Sequence, residues 1–164
     1  LTFMIPSRGL IGFRSQFLTM TSCTGIMNSI FDHYGVVKEG ETVTRNNGVL
    51  VSMVNGKVLG YALFSLQERG RLMIGPNIDV YEGMVIGIHS RSNDLTVNPT
   101  KGKQLTNVRA SGTDENIVLT PPIRFTLEQA LDFIEDDELV EVTPENIRIR
   151  KKFLKEHERK RAKR

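Results

Sequence analysis

Lys101, Lys103 and Arg109 stand close together in a stretch, Leu95 to Thr113 (LTVNPTKGKQLTNVRASGT), that holds no acidic residue. Among and beside them lie Asn98, Gln104, Thr106 and Asn107, short side chains that form hydrogen bonds. Cations interleaved with such groups suit phosphate oxygens, 2′-hydroxyls and base edges. The stretch has neither a helical nor a strand period, and a segment of that length without regular structure is usually functional or disordered. We therefore expect a long loop over 95–113 that reaches for RNA, supported by Arg69, Arg71 and Arg91. Aromatic residues are sparse in it, which favours shape and backbone recognition of folded RNA over a stacking platform for single strands.

A second store of positive charge closes the chain. From Ile147 to Arg164 there are ten Lys/Arg against two Glu, in a chain whose net charge is only +3, so everything before that tail is net acidic. Such asymmetry points to a nucleic-acid partner for the basic end, with Arg148, Arg150, Lys151 and Lys152 nearest the folded body and best placed to act. Immediately before it, Glu128 to Glu145 holds eight Asp/Glu and no Lys/Arg. That block supports an alternative reading as a protein-interaction adaptor for a basic partner.

Catalytic chemistry finds little to work with. Cys23, His33, His89 and His157 are the only Cys and His residues, and no two have a metal-ligand spacing. A nucleophile pair of Cys23 with His33 or His89 needs only spatial adjacency and stays open. Glu135, Asp136, Asp137 and Glu138 could hold a cation or exchange protons, although consecutive carboxylates at a helix end more often sit in solvent. Neither GxxxxGK[ST] nor GxGxxG occurs, so no nucleotide phosphate cradle is visible. The expectation is a binding module with no catalytic residue, metal or cofactor of its own.

The elements that must position these residues suggest an α+β chain. At 164 residues, with 39% hydrophobic and 25% charged content, it suits one ordinary domain or two small ones. No apolar run approaches the roughly 20 residues of a membrane helix, and one cysteine agrees with a reducing compartment, so a cytoplasmic protein without a membrane partner is expected. The start on LTFMI without Met reads as a fragment. Thr2 to Ile5 reads as a strand, Ser7 to about Met20 as a helix ending by Gly25, and Ile26 to Tyr34 as a second strand: half of a ferredoxin-like βαβ sandwich over 1–37. From 38 to 164 a mainly β, barrel-like domain with a few short helices is expected. Val49 to Val54 and Lys57 to Phe64 would flank a type I′ turn at Asn55-Gly56. Further short strands are read at Leu72 to Ile74, Ile78 to Tyr81, Met84 to His89, Ile117 to Leu119, Leu139 to Val142 and Ile147 to Arg150. Thr126 opens a capping box with Gln129, and Phe153 to Lys163 is a basic helix.

Several long runs carry a family resemblance: IPSRGLIGFRSQFLTMTSCTGIMNSIFDHY, NNGVLVSMVNGKVLGYALFSLQERGRLMIG, VYEGMVIGIHSRSNDLTVNPTKGKQLTNVRASG and LEQALDFIEDDELVEVTPENIRIRKK. In this order they resemble the C-terminal part of the BipA/TypA family, ribosome-associated translational GTPases related to elongation factor G. The resemblance covers essentially the whole chain. It implies binding to the ribosome, with this end contacting large-subunit rRNA and the acceptor end of A-site tRNA, and roles in stress adaptation, virulence control and ribosome assembly. It further implies that GTP and Mg²⁺ belong to an upstream domain, and that Lys101, Lys103, Gln104, Asn107 and Arg109 are the reaching residues of the loop. A monomer is expected. Cys23 stands where the family usually has Gly; if that position requires positive φ, the Cys costs on the order of 1 kcal/mol.

Overall fold

The structure, a computed structural model, describes residues 1–10, 13–37, 45–102 and 117–162, with Arg8, Ser15 and Gln16 described by backbone alone. Two compact units emerge, Leu1–Arg45 and Asn46–Arg164.

In the first unit a single 3-10 turn, Ser7–Leu10, precedes α1 (Phe13–Met20). The helix stops ahead of Gly25, the residue expected to end it. Ser22 N–H donates to the Thr19 carbonyl at 3.2 Å and Cys23 N–H to the Leu18 carbonyl at 2.7 Å, a Schellman closure that satisfies carbonyls the helix would otherwise leave bare. Ser22 and Cys23 accordingly sit at φ 50° and 63°. Cys23 thus occupies the left-handed region that glycine adopts without cost. The strands expected at Thr2 to Ile5 and Ile26 to Tyr34 are corrected: both segments run without a ladder partner among the described residues, and Phe3, Met4, Ile26, Ile30 and Phe31 are exposed. Apolar alternation alone makes no strand where no edge is offered to pair with.

The second unit is built on β1 (Val49–Ser52), wholly buried, and β5 (Met84–His89). They pair antiparallel, Val49 opposite Ile88 and Leu50 opposite Gly87, and a bulge then brings Val51 opposite Val85. β6 (Leu95–Val97) lies parallel to β1 on its other side. The far edge of β5 is shared. β3 (Gly70–Leu72) takes its C-terminal half and β8 (Ile147–Lys151) its N-terminal half, while β7 (Glu138–Val142) pairs with β8 at the rim. The order β6-β1-β5-β8-β7 is open, so the barrel-like closure expected from evenly spaced strands is corrected to an open mixed sheet.

Each face of that sheet has its own core. Leu50, Ile86, Leu72 and Val97 pack with Leu63 and Leu66 of α2 (Gly60–Leu66). Val49, Val51, Val85 and Ile149 pack with Ala130 of α3 (Leu127–Phe133). The alternation of Val49 and Val51 against Leu50 is the period-2 rule of a strand covered on both faces. α3 opens as expected: Thr126 Oγ1 accepts from Gln129 N–H at 3.3 Å, and Gln129 Oε1 accepts from Thr126 N–H at 3.0 Å. α4 (Glu156–Ala162) ends the described chain.

Two further expectations are corrected. Lys57 to Phe64 is not a strand; only β2 (Gly56–Lys57) is, pairing with β4 (Asp79–Val80), and α2 follows. Ala62, Leu63 and Leu66 are buried at helical spacing, which decides the conformation of this stretch. Asn55-Gly56 is not a type I′ turn either. Among described non-glycine residues only Ser22, Cys23 and Asn77 have positive φ, whereas Asn55 uses its side chain to accept from Glu82 N–H at 2.7 Å. Ile117 to Leu119 forms no strand.

Candidate nucleic-acid interface

The start of the expected loop is ordered sheet. Leu95 to Val97 form β6, and Met53 N–H donates to the Val97 carbonyl at 2.9 Å. The chain then turns on Asn98, whose Oδ1 accepts from Thr100 N–H at 2.9 Å and from Thr100 Oγ1 at 2.8 Å. Leu59, the residue before α2, donates its N–H to the Pro99 carbonyl at 3.1 Å. At the other end of α2, Gln67 Nε2 donates to the Val118 carbonyl at 3.1 Å, and Gln67 Oε1 accepts from Thr120 N–H at 3.1 Å. Residues 99 and 118 are therefore fastened to opposite ends of one short helix. Lys103, Gln104, Asn107 and Arg109 lie outside the described residues.

Between α2 and β6 opens a groove of about 680 Å³. Its floor is apolar, from Ala62, Leu66, Leu95 and Val97, and its rim carries Tyr61, Ser65, Arg69, Asn98 and Lys101. Among the described residues no acidic side chain lines it. Lys101 and Arg69 are both exposed, so their charges reach the mouth of the groove. Tyr61 and Ser65 share a helical face and Arg69 continues it one turn on, a spacing of four that reading the run as a strand concealed.

The remaining predicted cations separate sharply. Arg91 and Lys152 are exposed, and Arg148 is half-buried. Arg150 Nε stands 2.7 Å from Glu141 Oε1. Glu141 Oε2 in turn accepts from the Tyr81 hydroxyl. Burial first, then the hydrogen bond to Glu141 and its charge, push the Tyr81 hydroxyl well above the usual tyrosine range. Lys151 is withdrawn from solvent altogether. It is 1% exposed, and its Nζ lies 2.8 Å from Asp94 Oδ2, 2.9 Å from Asp137 Oδ1 and 2.9 Å from Glu138 Oε1. Burial pulls its pKa down, but the hydrogen bonds that the ammonium donates to Asp94, Glu138 and Asp137 and the attraction of Glu138 outweigh that, so the net shift is upward. The parity of β8 explains its position: Lys151 falls on the same face as Ile149, the core face. Lys151 is thus a structural ion and not a surface contact.

The same geometry disposes of much of the acidic block. Glu135, Asp137 and Glu138 bring carboxylate oxygens within 4.8 Å of one another, the spacing of a cation site, but the ammonium of Lys151 is bonded to Asp137 and Glu138. Glu128 lies in the first turn of α3, where hydrogen bonds from its own backbone N–H and from Thr126 hold its carboxyl below the usual range.

Comparison with known proteins agrees with the division into two units. Residues 47–156 match the family described as the TypA/BipA C-terminal domain, and residues 1–44 match the elongation factor G C-terminus. Over all 164 residues the chain is 68% identical to the large ribosomal subunit assembly factor BipA of Haemophilus influenzae. It is 65% identical to the protein of that name from Escherichia coli K12 and 60% identical to that from Buchnera aphidicola. In each case the whole chain is covered, but it spans only 27% of the relative's length.

Proposed function

The chain belongs to the TypA/BipA family, and from that premise we propose that it is the RNA-binding, ribosome-facing C-terminal part of a translational GTPase that acts in large-subunit assembly. The observation that carries this reading is the groove with Arg69 and Lys101 on its rim and no acidic side chain among its described lining residues, at the root of the stretch that continues into Lys103 and Arg109. Lys101, Lys103, Gln104, Asn107 and Arg109 contact large-subunit rRNA and the acceptor end of A-site tRNA. Arg91, Arg148 and Lys152 add attachment through phosphates, independent of sequence. Lys151 contributes only by holding β8 in place, and Arg150 is committed to Glu141.

GTP and Mg²⁺ are held by a part of the protein outside this chain, and stress adaptation and virulence control follow from its work as a cytoplasmic monomer on the ribosome. The adaptor reading of residues 128–145 is the weaker one, because Asp137, Glu138 and Glu141 are already matched with Lys151 and Arg150. Sedimentation of the chain with purified large subunits tests the proposal. Binding should fall steeply between about 50 and 200 mM salt. Joint replacement of Lys101, Lys103 and Arg109 by Ala should weaken it while the thermal midpoint stays put. Failure to co-sediment at low salt overturns the reading.

A further inference from the structure

We propose that the groove between α2 and β6 seats one unpaired nucleotide of an RNA strand, with the base against Tyr61 and the phosphate held by Arg69 and Lys101. This rests on the RNA-binding reading and names the unit of RNA that the groove takes. At about 680 Å³ it has the size of a small-ligand site. Its chemistry is divided as a nucleotide's is. Ala62, Leu66 and Val97 give a buried apolar floor for the flat face of a base, and Tyr61, 38% exposed, offers a ring to stack on. Among the described residues the Tyr61 hydroxyl and the Arg69 and Lys101 head groups have no hydrogen-bond or ion-pair partner. Both cations are thus available to an anion that the described lining does not supply.

Asn98 adds a fixed polar edge. Its Oδ1 is occupied twice by Thr100, which orients the amide and leaves the Nδ2 hydrogens to donate to a base or ribose oxygen. An acidic peptide would match the cations but would have no use for the ring over an apolar floor. A paired base keeps both faces covered in its helix, so the occupant must be unstacked.

The test is binding of a fluorescent single-stranded RNA hexamer to the whole chain by anisotropy, with Tyr61→Ala, Tyr61→Phe and Arg69→Gln, each variant also pelleted with ribosomes. Tyr61→Ala should weaken the hexamer about tenfold, or 1.4 kcal/mol, and Tyr61→Phe should restore most of that. Arg69→Gln, at an exposed position that does not threaten folding, should weaken binding several-fold and lower the salt slope by about one. A 4-thiouridine in the hexamer should cross-link to α2. Wild-type hexamer affinity in both Tyr61→Ala and Arg69→Gln, with ribosome pelleting intact, overturns the groove and leaves the RNA-binding reading standing. Absence of both hexamer and ribosome binding in the unmodified chain overturns the two together. Displacement by adenosine monophosphate at the hexamer's own concentration would show a site for free nucleotides, and displacement by a hexaglutamate peptide a site for acidic chains; either refutes the strand assignment.

Discussion

Replacing Lys151 with Met tests what holds the rim of the sheet. The substitution keeps the length and much of the volume of the side chain but deletes an ammonium bonded to Asp94, Asp137 and Glu138 at 2.8 to 2.9 Å. Asp94 and Asp137 retain some access to water; the Glu138 side chain has none. Removing one partner of a buried ion pair typically costs about 3–5 kcal/mol, because the survivor is left charged and dry. With two of the three carboxylates partly hydrated, the lower end, about 3 kcal/mol, is expected. Urea unfolding followed by far-ultraviolet circular dichroism measures it. Adding Glu138→Gln to Lys151→Met should recover a kilocalorie or more, roughly, since the stranded charge is then gone, and the double-mutant cycle isolates the pair. The pH dependence has a definite sign. A lysine whose folded pKa is raised contributes stability that is fully present below its unfolded value of about 10.5 and fades only as pH climbs through the folded value. The gap between wild type and Lys151→Met should therefore persist across neutral pH and narrow only in strong alkali. A loss below about 1 kcal/mol, in the range of exposed pairs, would refute the buried three-carboxylate cage.

Two other substitutions probe neighbouring features. Tyr81→Phe removes the hydroxyl that donates to Glu141 and should cost about 1 kcal/mol. Because the Tyr81 pKa is raised, its contribution is complete below the ordinary value of about 10 and is lost as pH rises beyond it. The difference in urea midpoint between wild type and variant should accordingly hold from neutral pH up to about 10 and narrow only beyond it, and a difference that closes below that refutes the assignment. Gly83 has φ of 89°, and a Cβ there would fall 2.6 Å from Leu154 Cα. Gly83→Ala should thus destabilise by about 2 kcal/mol or more, and an unmoved urea midpoint would show that the turn can shift.

What could be read from the residues was what is decided locally. The run MVIGIH is apolar throughout and became β5, and Thr126 with Gln129 formed the capping box their spacing announced. KVLGYALF was misread because alternating and helical periods both fit it; the tie is broken by Leu63 and Leu66 meeting Leu50 and Ile86, side chains remote along the chain. β6 was hidden for a similar reason: three residues are too few to show a period, and their ladder partner is β1, some 45 positions earlier. For the candidate site, Lys101 was legible as a cation among short hydrogen-bonding side chains, whereas Tyr61 needed the helix to be recognised first. Lys151 illustrates a further limit. Strand parity with Ile149 already pointed it inward, but a buried lysine makes sense only once Asp94, Asp137 and Glu138 are known to converge on it.

The fastening of residues 99 and 118 to opposite ends of α2 bears on how this protein can vary over time. A helix of this length sets the gap between the two anchor points at roughly 12 Å, from 1.5 Å per residue. Closing a chain across a gap held open by a helix is an entropic matter that grows only with the logarithm of the number of residues, about 0.6 kcal/mol for each doubling. Doubling the number of residues between the anchors therefore adds about as much free energy as the loss of a single hydrogen bond. The two anchors act as a fixed holder whose closure cost is nearly indifferent to the length of chain it carries.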